Sequence, residues 1–242
     1  MSAVEVGRPY GVWPTLGFSF LIVIVYLLGI FLAYVSFAIV EMMANPSIAE
    51  KELVNLLTTS GDYMIYATIV ASFMSLLTTV FVCHRAQNYS LTEYLKLYFP
   101  HSRTFVQWFG LFLVFFFLAD VVFRMTGETG GEDFINQTMS LTDNRLMVWL
   151  LIVVIAPVFE EVFFRGLLLE GLRYSKLGNI GAVMITSLLW ALVHTQYNWF
   201  IVFWVFLFGI LLGYARIRSN SLYLVIILHA VNNLLSTLQV SV

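Results

Sequence analysis

Seven apolar runs joined by polar connections constrain this chain more than any other feature. A helix needs about 20 consecutive, mostly apolar residues to cross a bilayer's hydrocarbon core. Runs of that order stand at about 16–43, 63–83, 105–123 and 146–169, and three shorter ones follow near 179–198, 199–215 and 221–238. The pattern predicts an all-α fold, a polytopic transmembrane helical bundle of about seven spans, or eight if the long stretch hides a further helix. The first run is longer than a signal-peptide core and lacks a small-residue cleavage site, so it reads as a retained span.

Composition agrees. Of 242 residues, 60% are hydrophobic and only 11% charged, and the mean hydropathy of +0.89 lies far outside the range of a soluble domain. The formal net charge is -2 with Lys and Arg scattered, which leaves no basic face for nucleic acid. Cys83 is the only cysteine, so an intrachain disulfide and a multi-cysteine metal site are both excluded.

Charge also orients the chain, because short cytoplasmic loops carry an excess of Lys and Arg. Arg85, Lys96 and Arg103 follow the second run, Arg173 and Lys176 the fourth, and Arg216 and Arg218 the sixth. The alternate connections hold Glu50 and Glu52 beside Lys51, then Glu128, Glu132, Asp133 and Asp143 beside Arg124 and Arg145. This places the N-terminus in the cytoplasm and the protein in the plasma (cell inner) membrane. The stretch "SLTEYLKLYFPHSRTF" predicts a short interfacial helix ended by Pro100, and the Gly-rich "TGETGGEDFINQTMSLTDN" predicts a mobile loop.

Within the spans few polar residues occur, and such residues normally face the bundle interior with partners. Glu160, Glu161 and Arg165 lie in the fourth run, His194 in the fifth, and His229, Asn232 and Asn233 in the last. Glu161 and Arg165 are four apart, on one helix face in the acid-first order that favours an ion pair. Glu160 is rotated by about 100° from Glu161. One glutamate therefore has a local counter-ion, and the other is free for proton transfer. His229 and Asn233, also four apart, present two polar groups to one side.

The ordered segments "EEVFFR", "WALVH" and "HAVNN" resemble the motifs of the CPBP family of intramembrane proteases, which contains the type II CAAX prenyl endopeptidases and the bacterial Abi-type proteins. The family pattern is EExxxR, then an aromatic residue and three more before His, then HxxxN. Pro157 and Gly166 also sit where the family often has them, and Trp190 stands where phenylalanine is common. The resemblance covers roughly residues 146–238. It divides the chain into residues 1–145, N-terminal helices and loops, and residues 146–242, the catalytic core of the same membrane domain.

The resemblance implies an endopeptidase acting on a membrane-associated or lipidated protein or peptide, with the bilayer as its other partner. Carried over by position, Glu160 activates a water with His194 orienting it, His229 and Asn233 stabilise the oxyanion, and Glu161 with Arg165 braces the site. A glutamate mechanism without a cofactor is the preferred reading. A zinc ion on Glu160, His194 and His229 is the alternative, although no His-Glu-x-x-His pair presets two ligands on one helix. The site is expected among the fourth, fifth and last spans, admitting water from the cytoplasm. A proton-coupled transporter is the rival class, and a non-catalytic immunity or scaffold protein the third, since buried Glu and His also build proton relays.

Overall fold

The computed structural model describes residues 10–86, 89–129 and 131–240. Ten helices run in chain order through these residues: α1 Val12–Ala44, α2 Glu50–Thr59, α3 Gly61–His84, α4 Leu91–Leu95, α5 Ser102–Thr126, α6 Glu132–Ser140, α7 Arg145–Arg173, α8 Gly178–Leu192, α9 Trp199–Ser219 and α10 Leu222–Val240. Six are long and apolar enough to cross a membrane (α1, α3, α5, α7, α9 and α10), and α8 is a shorter apolar helix. The expected polytopic bundle is borne out.

Helix α7 is the axis. Residues 161–172 are all buried, with α1, α3, α8 and α10 packed against α7, α9 joined to it through Arg165 and Glu170, and α5 leaning on α9 and α10. At 33 residues, α1 is about 50 Å long, more than the hydrocarbon thickness, so it tilts or projects. Its buried residues Thr15, Ser19, Ile22, Gly29 and Ala33 form one stripe, and most of the opposite surface is exposed and apolar, as lipid contact requires. Small residues let backbones approach in such bundles. A Cβ on Gly29 would lie 2.7 Å from the Ala71 Cα of α3, and one on Gly171 would lie 2.0 Å from the Thr15 hydroxyl.

The loop expected to be mobile contains α6. Its C-terminal end is fixed to α3 by a bond from the Gly61 N–H to the Leu141 carbonyl at 3.1 Å and by the Thr142 hydroxyl donating to Asp62. Gly131 at φ +103° opens the helix, a conformation that glycine adopts freely. The interfacial helix is also shorter than expected. Ser90 and Glu93 cap α4 reciprocally, and the bonds from Ser90 hold the Glu93 carboxyl below the usual carboxylate range. The helix then stops at Lys96, which is left-handed at φ 55°, four residues before Pro100. Helix α8 ends at Leu192, six residues before the expected end of that run, and so spans only about 22 Å.

A buried charged cluster pins the end of the bundle that carries Lys96. Glu170 pairs with Arg173 at 2.9 Å and with Arg216 at 3.7 Å, and Arg216 also donates to the Leu95 carbonyl at 3.3 Å. Arg216, used above as a loop charge, is fully buried. A buried guanidinium needs such partners because desolvation is costly.

Candidate active site

Pro157 sets the local geometry of α7. Residues 151–155 and 162–168 are wound as π-helix on either side of a short α-helical turn that carries Glu160 and Glu161. In the first π segment the Ala156 N–H donates to the Leu151 carbonyl, five residues back. The next donor in that register is residue 157, which as proline has no N–H. The Ile152 carbonyl is thereby orphaned, and Asn233 Nδ2 of α10 donates to it at 2.9 Å. Asn233 thus locks α10 to α7 where the wide turn begins.

One turn further on, Glu161 and Arg165 form the expected ion pair at 2.8 Å, both side chains fully buried. The same Glu161 oxygen accepts from His229 Nδ1 at 2.9 Å. A carboxylate only accepts, so this bond puts the proton on Nδ1 and leaves Nε2 for chemistry. Arg165 also donates to the Gly209 carbonyl of α9 at 3.3 Å. A Cβ on Gly209 would lie 2.9 Å from that of Ser187, so glycine permits the close packing of α8 on α9.

Trp190 joins the parts, a role the sequence reading limited to an aromatic wall. Its indole N–H donates to Glu160 Oε2 at 2.6 Å, so the carboxylate expected to stand alone has a partner. The Arg165 guanidinium lies 4.5 Å from the Trp190 ring centroid, in cation–π range. The His194 and His229 rings meet the indole edge-on at 5.0 Å and 5.2 Å. His194 lies just beyond the end of α8, and its Nδ1 donates to the Trp190 carbonyl at 2.7 Å, which again leaves Nε2 available.

Glu160, His194, His229 and Asn233 line one cavity of about 270 Å³. Glu161 and Arg165 are buried behind it. Thr68, Phe134 and Ile135 supply further walls, so residues before 146 contribute as well. Helix α6 covers the opening: Phe134 meets Tyr197 edge-on at 5.8 Å, and Tyr197 stacks on His194 at 6.1 Å.

These walls come from the half of the bundle that carries the acidic connections 44–61 and 126–145. The lining of the cavity thus lies toward the face opposite the Lys- and Arg-bearing loops, which sets cytoplasmic water entry at odds with a cytoplasmic N-terminus. The zinc alternative also meets an obstacle. Among the described residues no group of three or more His, Cys, Asp or Glu is placed to hold a metal ion, although His194 and His229 each keep Nε2 open, as ligating histidines do. As arranged, the donors do not fit a three-ligand zinc centre.

Comparison with known proteins agrees with the motif reading. Residues 142–235 match the family described as Type II CAAX prenyl endopeptidase Rce1-like, an interval that contains every residue from Glu160 to Asn233. An uncharacterized 24.3 kDa protein of Escherichia coli is 40% identical over 87 residues, 35% of this chain and 40% of that protein. The UPF0177 protein YxdF of Lactococcus lactis subsp. lactis is 26% identical over 114 residues, 47% of this chain and 59% of that protein. The chain thus spans less than two thirds of either relative. No solved structure matches it.

Proposed function

With residues 142–235 matched to the Rce1-like type II CAAX prenyl endopeptidases as premise, we propose that this integral membrane protein is an intramembrane endopeptidase that cuts a membrane-associated or lipidated peptide with a water activated by Glu160 and His194. The observation that carries this reading is the convergence of Glu160, His194, His229 and Asn233 on one cavity inside the bundle.

Glu160, held at Oε2 by Trp190, takes a proton from water, and His194 Nε2 accepts from the same water to orient it. The hydroxide adds to the scissile carbonyl carbon. The resulting oxyanion is stabilised by His229, which donates to it from Nε2 while Nδ1 stays bound to Glu161. The C–N bond then breaks as the proton held by Glu160 passes to the leaving amine, giving a carboxylic acid and an amine. Glu161 and Arg165 keep His229 in place, and Asn233 supports the cavity through Ile152 and can lend its second N–H to the oxyanion. All these groups belong to the chain, so no cofactor enters the proposal.

The test is cleavage of a peptide library, prenylated and unprenylated, by detergent-purified protein and by Glu160→Gln, each with and without a strong zinc chelator. Cleavage that is abolished by Glu160→Gln and survives the chelator is the expected result. Cleavage retained by Glu160→Gln would remove that residue from the chemistry, and chelator loss reversed by zinc would make the enzyme metal-dependent.

A further inference from the structure

Beside the catalytic cavity lies a second one of about 330 Å³, between α5, α9 and α10. The two adjoin across a common wall, since Ile201, Val205, Phe208, Asn232 and Ser236 line both. Its remaining sides are aromatic and preformed: Phe115 stacks on Phe208 at 5.7 Å, and Phe123 meets Trp204 edge-on at 5.8 Å.

Its rim is acidic. Among the described residues, Asp120, Glu128 and Glu132 line it with a single cation, Arg124, so three carboxylates against one guanidinium leave two negative charges. Arg124 is bound to Asp120 at 2.9 Å, whose other oxygen accepts from Gln239 at 3.2 Å. Glu128 accepts from Asn198 at 2.7 Å. Two of the three carboxylates are therefore held in place at the rim.

We propose that this second cavity is a substrate subsite that receives the segment flanking the scissile bond of a peptide carrying apolar or aromatic side chains and a Lys or Arg. The proposal rests on the protease reading. A subsite next to the reacting centre converts remote contacts into catalysis, and it must adjoin the catalytic cavity, as this one does. Aromatic walls accept apolar side chains, while surplus negative charge beside a low-dielectric wall favours a cation. A lipid acyl chain would fill the aromatic part and leave the carboxylates without a complement, so the acidic rim favours a cationic peptide.

The experiment uses the full chain in detergent with Glu160→Gln, so that nothing is turned over. The probes are a fluorophore-labelled hexapeptide of Leu, Phe and Lys and its counterpart with norleucine for Lys. Tighter binding of the Lys peptide by about fivefold is expected, as for two partly screened ion pairs. The preference should vanish in Glu128→Gln/Glu132→Gln and persist in Glu128→Asp/Glu132→Asp, which keeps the charge. Equal binding of the two probes, no binding of either, or a preference that survives neutralisation overturns the subsite. Charge-dependent binding without cleavage by the protein bearing Glu160 would refute the protease reading and leave the subsite standing. Cleavage without charge preference would do the reverse.

Discussion

At the scale of single residues, Trp190 and Asn233 are the positions where structure changes the reading most. The Trp190 N–H is a neutral donor to a carboxylate at 2.6 Å, a bond worth about 1.5–3 kcal/mol to a charged group. Trp190→Phe keeps the aromatic wall and removes the donor, so kcat/KM should fall roughly tenfold or more, with kcat rather than KM carrying the loss, as steady-state kinetics on any cleaved peptide would show. An unchanged kcat would mean that the indole only packs. Asn233 is tested through its partner. Asn233→Ala strips the Ile152 carbonyl of its donor and should cost about 1–3 kcal/mol of stability. In a Pro157→Ala background, residue 157 regains an N–H that can serve the same carbonyl, and the cost should shrink, a coupling that a double-mutant cycle of thermal unfolding measures. If Asn233 acts on the oxyanion alone, activity will fall with no such coupling. Neither role was legible beforehand: the i,i+4 spacing of His229 and Asn233 put both on one face, but the π register that orphans Ile152 is a tertiary outcome that no local pattern announces.

At the scale of elements, the site depends on how closely α8 and α9 approach. Gly209 faces Ser187 and Trp190, with a Cβ there only 2.9 Å and 3.1 Å from their side chains. Gly209→Ala would gain up to about 1 kcal/mol in helix propensity, whereas overpacking costs about 1–3 kcal/mol, so the net effect should be destabilising. It should also weaken the Arg165 bond to the Gly209 carbonyl, lowering both Tm in detergent and activity. Wild-type values of both would show that the contact relaxes cheaply. Helix α6 makes a parallel case. Gly131 has φ +103° and a Cβ there would meet Tyr197 at 3.3 Å, so Gly131→Ala should disturb the cover over the cavity and reduce activity, while Gly127→Ala, with nothing within 4 Å, serves as a control for left-handed backbone strain alone. The spans were legible because hydropathy over about 20 residues is a strong signal. Helix α6 was not, because its polar, Gly-rich sequence reads as loop and its helix is held by Tyr197, Asp62 and Gly61, which are distant in sequence. Glu170 has Arg173 three residues on in the same helix, but its second partner, Arg216, lies in another helix and could not be read from local spacing.

At the scale of the whole molecule, two readings of the sequence collide, and the collision yields a prediction. Lys and Arg cluster on the connections 85–103, 173–178 and 219–222 or in the helix turns beside them, and Arg216 among them is spent on a buried pair with Glu170. Removing Arg216 from the count still leaves Arg85, Lys96, Arg103, Arg173, Lys176 and Arg218 on that face, so the charge bias survives and the N-terminal side remains cytoplasmic by that rule. The cavity lies toward the other half, under α6 and beside Gln196 and Tyr197, and a substrate would then be met from the extracytoplasmic side. Cys83 is fully buried, so a Cys83→Ala background gives a silent start for single-cysteine labelling. Gln196→Cys should react with a membrane-impermeant maleimide in intact cells, whereas Lys176→Cys should react only after permeabilisation. The opposite pattern would put the cavity on the cytoplasmic side and show that six flanking cations fail to orient this bundle. Labelling of both in intact cells would mean a mixed topology, in which the charge bias is too weak to select one orientation.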